Sequence, residues 1–391
     1  MAIVNKYVNS HLYYSKGISR KLIGVGVDDS LDGLLLDKPK EMDEDALNAI
    51  VEKAFKFVRA GGLDVQQKLS MGEKAAEFRL VQKCDWGGVL DGVKLQGSAV
   101  GLNLAWSYFP HRYGIKCNEM KTFKDVFNDD ALLKRALWKM LRRRVSLTTS
   151  GFRYGIGYFS GTQLVSNFRP SVAGFIYKFF SGDGVVWDMS SGFGGRLLAA
   201  FAVPEVLCYI GTDPSTLTFE GLLELKDDML GLMPTKEVIL EKVGSEDYLP
   251  PKGMLDLCFT SPPYFNTEQY SDESTQSFLK FPTANGWLNG FMGQTLNNCY
   301  HGLKRDGVLV LNVAGVQKYK NMAQDVCDLA ASKGFVFRCE RKYVLNSVSK
   351  GGRIGSEPVF FFSKDPTEDV DGERWFSTRL SSRGYIRRRL I

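Results

Sequence analysis

The hydrophobic pattern changes character near residue 165. Before it, two stretches carry apolar side chains at helical spacing and the rest is rich in glycine and aromatics; after it, short apolar runs alternate with helical stretches. Residues 43–59 place apolar positions every three or four residues and run into Gly61-Gly62, which predicts a helix and its stop. A second helix is predicted over 129–147, with Leu132, Leu133, Ala136, Leu137, Met140 and Leu141 as its apolar stripe. Its other face carries Lys134, Arg135, Lys139, Arg142, Arg143 and Arg144. A solvated face is the ordinary reading of such a pattern, and a phosphate-contacting helix the sharper one. Around Trp86-Gly87-Gly88 and Trp106-Ser107-Tyr108-Phe109-Pro110 short strands and loops are expected, and residues 152–159 show aromatics and Arg153 without a helical period. Those aromatics read as part of a β-rich core, with a hold on an unstacked base as the sharper alternative.

From 166 onward, residues 184–188, 206–211, 237–242, 254–259 and 307–313 read as buried strands, and 335–339 and 359–362 as a closing pair. Helices are predicted over 196–202, 217–230, 284–303 and 322–332. That alternation predicts an α/β fold, a parallel sheet with crossover helices. Three regions follow: an N-terminal α+β region over 1–165 suited to target recognition, a catalytic domain over 166–365, and a tail over 366–391. The tail is basic at Arg374, Arg379, Arg383, Arg387, Arg388 and Arg389.

Composition narrows the class more than the function. At 391 residues, 44% hydrophobic and 24% charged, the chain can bury a full core. No apolar run approaches the ~18 residues of a membrane span, and the start lacks a signal-peptide core. Seven scattered cysteines without a Cys-x-x-Cys pair, and three distant histidines, argue for reduced cytoplasmic thiols and against a metal site. A net charge of +6 suits a polyanionic partner without identifying one.

The candidate chemistry lies at strand ends. The run Leu255-Asp256-Leu257-Cys258-Phe259-Thr260 stops at Ser261-Pro262-Pro263-Tyr264, because a Pro pair cannot continue a strand. In an open α/β sheet that is where ligands sit. The first strand ends in Asp188-Met189-Ser190-Ser191-Gly192-Phe193-Gly194-Gly195, whose glycines let backbone approach a ligand. This turn is too short for the dinucleotide Gly-x-Gly-x-x-Gly pattern. The second strand ends at Asp213, placed to accept hydrogen bonds from two ribose hydroxyls or to start the next helix.

The string Thr260-Ser261-Pro262-Pro263-Tyr264-Phe265 resembles the catalytic motif of the DNA amino-methyltransferases, which methylate N4 of cytosine or N6 of adenine. The turn at 188–195 is similar to that family's loop around the methionine part of S-adenosylmethionine, usually Asp-Pro-Phe-x-Gly-x-Gly. Met189 and Ser190 stand where Pro and Phe are usual. Residues 166–171 resemble the segment that closes over the cofactor, and the last helix and strand pair resemble the family's seven-stranded Rossmann-like sheet, whose final strand is antiparallel.

The resemblance implies S-adenosylmethionine as cofactor, held by Phe168, Arg169, Pro170, Asp188, Ser190, Gly192, Gly194, Asp213 and Thr260, with Asp247 preferred to Glu246 for the adenine amino group. It implies catalysis by Ser261, Pro262, Pro263 and Tyr264. Ser261 Oγ and the Pro262 carbonyl would each accept one amine N–H, and Tyr264 would stack on a base flipped out of double-stranded DNA. Ser at the first motif position favours cytosine over adenine in that family. Asn-Pro-Pro-Tyr enzymes that act on RNA guanine or protein glutamine, and an inactive nucleic-acid-binding relative, are the alternatives. A cytoplasmic protein with a DNA partner and a place in restriction–modification goes with the resemblance, without membrane or metal. The polar loop 266–281 is expected to be a pocket lid, and the tail to add affinity for phosphates.

Overall fold

The central apolar runs after residue 184 form strands because they are buried on both sheet faces, where β-branched and aromatic side chains pack best. The computed structural model describes residues 43–61, 69–143, 145, 149–348, 354–365 and 371–384. Seven strands carry the fold: β1 (Val185–Asp188), β2 (Cys208–Thr212), β3 (Glu237–Glu241), β4 (Leu255–Thr260), β5 (Leu303–Asn312), β6 (Val336–Val348) and β7 (Ile354–Ser363). They lie in the order β3-β2-β1-β4-β5-β7-β6. The first five are mutually parallel, and β7 is antiparallel to both neighbours. The fold is therefore the α/β, Rossmann-like sheet expected from the sequence. Beyond β6 the sheet gains two short strands, Lys94–Leu95 and Leu90–Asp91.

Successive residues feed opposite cores. Val186, Tyr209, Leu257 and Phe259 join one, with the helices Pro170–Phe180 and Gly195–Ala202. Trp187, Ile210 and Cys258 join the other, with Trp287, Leu296, Met322 and Val326. All six residues of β4 are buried. Because β1 to β5 run the same way, their carboxyl ends share one edge. The antiparallel β7 brings its amino-terminal half to that edge, where Val359 pairs with Asn312.

The chain divides into two compact units, one of 1–67 with 121–163 and one of 68–120 with 164–391. The sheet-bearing unit therefore includes residues 68–120, which corrects the boundary expected at 165. The reason is burial: Phe78, Trp86, Leu104 and Phe109 sit in the same core as Leu197 and Phe259. The helix Gly372–Ser382 likewise buries Trp375, Phe376 and Leu380 in that core, so these residues of the expected tail belong to the domain. Arg387, Arg388 and Arg389 lie outside the described residues.

The other unit is helical: Glu44–Gly61, Phe123–Asn128, Asp130–Arg142 and Thr149–Ser160. The last overturns the β-rich expectation for 152–159. Gly155 explains it, since a Cβ there would come within 2.3 Å of Met140 Sδ, and the glycine lets two helices close together. On Asp130–Arg142, Lys134 pairs with Glu52 at 2.6 Å and Lys139 donates to the Phe159 carbonyl at 3.2 Å, while Arg135, Arg142 and Arg143 are exposed. Arg144 lies outside the described residues.

Candidate active site

The turn after β4 is fixed from both sides. Phe265 N–H donates to the Pro263 carbonyl at 2.8 Å and Thr267 N–H to the Tyr264 carbonyl at 3.1 Å. Phe265 adopts φ +52°, a left-handed conformation uncommon for a bulky residue. Its ring is buried beside Trp287 and Tyr319, at 6.4 Å from each, and that anchorage offsets the strain. With Phe265 turned inward, Tyr264 is aimed along the carboxyl edge. The Tyr264 hydroxyl donates to Glu357 Oε2 at 3.0 Å and approaches the Asn312 carbonyl at 3.3 Å. Burial, then the neighbouring Glu357 carboxylate, pushes its pKa well up, while the Ser261 hydroxyl acts in the opposite sense. The ring itself is half-buried.

Two carboxylates face this turn. Glu357 has its pKa raised by burial, against the opposing bond from Tyr264. Glu268 is raised by burial too, and Tyr270 donates its hydroxyl to it. The Glu357 carboxylate adds to the rise at Glu268. Glu357 was not legible as a site residue, because nothing near it in sequence marks chemistry, and Glu268 was hidden among the polar residues of the loop that follows the motif. Asn312 gave a faint signal as an amide ending an otherwise apolar strand; its Nδ2 holds the Pro358 carbonyl at 3.0 Å, just beside Glu357.

The glycine turn lies beside this cluster, since β1 pairs with β4 and Asp188 stands opposite Phe259. Gly192 and Gly194 have φ of +54° and +70°, which glycine adopts without penalty. At Gly195 a Cβ would fall 2.2 Å from the Phe168 carbonyl, so the preceding segment rests on the turn. Asn167 Nδ2 holds the Phe193 carbonyl at 2.8 Å there. Asp213 accepts the Gly192 N–H and the Ser215 N–H, each at 3.0 Å. Burial pushes its carboxyl up to about 6 in spite of those two bonds.

Several predicted ligands point inward. Asp188 is fully buried and accepts from Arg196 Nε at 2.8 Å and the Tyr209 hydroxyl at 2.7 Å. It shapes the turn from beneath. Arg169 is buried and donates to the Gly97 and Val344 carbonyls at 2.8 and 3.1 Å, while Phe168 packs on Phe259 and Tyr343. Pro170 opens the helix Pro170–Phe180. After β3, Asp247 is exposed and Glu246 buried, and Lys280 binds both. Asn298 Nδ2 holds the Ser245 and Glu246 carbonyls at 3.0 and 3.1 Å.

The loop 266–281 spans from the motif to these acids. Glu273 accepts the Thr216 N–H at 3.0 Å, at the start of the helix Thr216–Leu232, and Thr275 Oγ1 reaches the Pro214 carbonyl at 3.4 Å. These ties lay the loop over the end of β2. Along the edge, four buried polar atoms have no partner among the described residues: Ser215 Oγ, Glu246 Oε2, Thr260 Oγ1 and Asn266 Oδ1. Buried polar atoms are ordinarily satisfied, so this set fits a polar, multi-hydroxyl ligand lying across the ends of β1 to β4. Among the described residues no group of three or more His, Cys, Asp or Glu could hold a metal ion, and no helix is long and apolar enough to cross a membrane.

No known protein family's sequence profile matches the chain, and no curated protein does. Solved structures share the fold at a distance. A methyltransferase described as S-adenosylmethionine-dependent, from Methanosarcina mazei, is 12% identical over 49% of this chain and 96% of its own, with a TM-score of 0.35. Magnesium protoporphyrin IX methyltransferase from Synechocystis PCC 6803, with bound cofactor, is 11% identical over 50% and 79%, also at 0.35. Spermidine synthase from Thermotoga maritima is 20% identical over 51% and 61%, at 0.34.

Proposed function

We propose that the chain is an S-adenosylmethionine-dependent amino-methyltransferase acting on a base of double-stranded DNA, at N4 of cytosine in preference to N6 of adenine. The observation that carries this reading is the juxtaposition of Ser261-Pro262-Pro263-Tyr264 with the glycine turn, at the ends of the adjacent parallel strands β4 and β1.

The cofactor, when bound, supplies a methyl group on a sulfonium centre. The backbone at Ser190, Gly192 and Gly194 would cradle its amino-acid part. Asp213 would accept from its ribose, since each carboxylate oxygen keeps a lone pair beyond its backbone bond. The unpartnered Ser215 Oγ and Thr260 Oγ1 add two polar contacts. Glu246, with a buried oxygen to spare, is better suited than the exposed Asp247 to the adenine amino group.

An exocyclic amine is a poor nucleophile because its lone pair is delocalised into the ring. Ser261 Oγ and the Pro262 carbonyl, accepting its two N–H groups, would draw the nitrogen out of plane and free that lone pair. The rigid Pro pair fixes the acceptors beforehand, which is how preorganised polar groups lower a barrier. The half-buried Tyr264 ring offers a face for the flipped base. The exposed Arg135, Arg142 and Arg143 of the helical unit supply charge suited to phosphates. Parallel incubations with methyl-labelled cofactor and duplex DNA, single-stranded DNA, transfer RNA or protein would read the substrate class. Label in duplex DNA supports the reading, and label confined to RNA or protein overturns it.

A further inference from the structure

We propose that Glu357 is the terminal proton acceptor of the methyl transfer, reached from the amine through the hydroxyls of Ser261 and Tyr264. This deepens the function proposed above and rests on it. An amine that has gained a methyl group carries a positive charge and must lose a proton, and a water-poor site needs a route for it. Ser261 alone is a poor base. Ser261 opens the same turn and its hydroxyl eases the Tyr264 ionisation, while Tyr264 donates to Glu357 Oε2 at 3.0 Å. The chain runs from the motif's first residue to a carboxylate 96 residues later in sequence, brought there by the antiparallel course of β7.

The balance is as follows. The N–C bond forms as the S–C bond breaks, and sulfur keeps the electron pair. One amine proton passes to Ser261 Oγ while the Ser261 proton moves to Tyr264 and the Tyr264 proton to Glu357. The amine ends neutral, both hydroxyls are restored, and Glu357 ends as the neutral acid, which later releases its proton to water. Glu357 touches no substrate atom; it acts through Tyr264.

The surroundings suit a carboxylate that takes up a proton. The titratable groups facing it are Tyr264 from the motif turn, Glu268 from the following loop and Tyr343, its cross-strand partner on β6. Asn312 on β5 adds a neutral amide. Burial disfavours the charged form, so Glu357 is a stronger base than an exposed carboxylate.

The test compares wild type with Glu357→Gln, which can still accept from Tyr264 but takes no proton, Glu357→Asp, which keeps the acid, and Tyr264→Phe, which keeps the ring. Single-turnover methyl transfer to duplex DNA should fall about 10²-fold in Glu357→Gln and Tyr264→Phe with cofactor affinity unchanged. Glu357→Asp should recover part of the rate. The wild-type rate should decline as pH falls through the Glu357 titration, and Glu357→Gln should lose that decline. A wild-type rate and pH profile in Glu357→Gln overturns the proposal. Independently of activity, the ζ-carbon resonance of 13C-labelled Tyr264, assigned by its loss in Tyr264→Phe, should titrate with Glu357 and stop titrating in Glu357→Gln. If wild type labels no DNA, the DNA reading fails on its own, and the resonance still decides: one indifferent to Glu357→Gln overturns the chain.

Discussion

Gly192 donates its backbone N–H to the Asp213 carboxylate at 3.0 Å, which joins the turn after β1 to the acid after β2. Two motifs 21 residues apart are thus one device: the acid holds the loop, and the loop holds the acid in place.

Asp213 gives that device a pH dependence. Its carboxyl is raised from 3.8 to about 6, chiefly by burial. A raised acid destabilises the folded protein above that value, because its ionised form is the penalised one, and the penalty disappears as pH falls toward the unfolded value. Ribose hydroxyls donate to the ionised form. Cofactor affinity, measured calorimetrically, should therefore rise between pH 5 and about 7, approaching tenfold per unit below 6. In Asp213→Asn it should be weak and flat with pH.

The buried pair beneath the turn is a matter of stability. Arg196 Nε meets Asp188 Oδ2 at 2.8 Å, with both side chains inside the protein. Arg196→Met would leave the Asp188 charge uncompensated and should cost about 3–5 kcal/mol in denaturant unfolding. A loss below 1 kcal/mol would show that the turn is held by other means.

Close approach at the turn separates two glycines. Gly195→Ala puts a Cβ against the Phe168 carbonyl and should displace the segment before it, lowering cofactor affinity by tenfold or more, on the order of 1.4 kcal/mol. A Cβ at Gly192 meets only the Ser190 carbonyl, at 3.7 Å, so Gly192→Ala carries chiefly the cost of its positive φ, about 1 kcal/mol. Melting curves and cofactor titrations of the two variants read the difference.

The basic tail needs a shorter cut than its sequence suggests. Deleting 374–391 would remove Trp375, Phe376 and Leu380 from the core and unfold the protein. Ending the chain after Gly384 removes Arg387, Arg388 and Arg389 and spares them. That truncation should leave the melting temperature unchanged, weaken DNA binding at low salt, and flatten the slope of log affinity against log salt by up to about 3.

The sheet was legible because its strands are short, mostly apolar runs, such as Leu255-Asp256-Leu257-Cys258-Phe259. The motif and the glycine turn were legible because proline and glycine act locally. In residues 84–117 the short strands were expected, while the helices Leu102–Trp106 and Pro110–Gly114 and the burial against distant helices were not. The helix Thr149–Ser160 was hidden by its three glycines, of which Gly155 serves close contact with Met140. Glu268 and Glu357 could not be found from sequence, because β7 alone brings Glu357 to Tyr264. Arg169 and Asp188 were read as ligands from the family resemblance, which does not say which way a side chain points.

The most direct test of the central claim is the identity of the methylated product. Unmodified duplex DNA is incubated with full-length protein and methyl-labelled S-adenosylmethionine, then digested to nucleosides and separated. Wild type should yield labelled N4-methylcytosine, and Ser261→Ala should lose the label by 10²-fold or more while binding cofactor normally. Label in N6-methyladenine alone would reverse the choice of base. DNA without label, from protein that binds the cofactor, would contradict the proposed function.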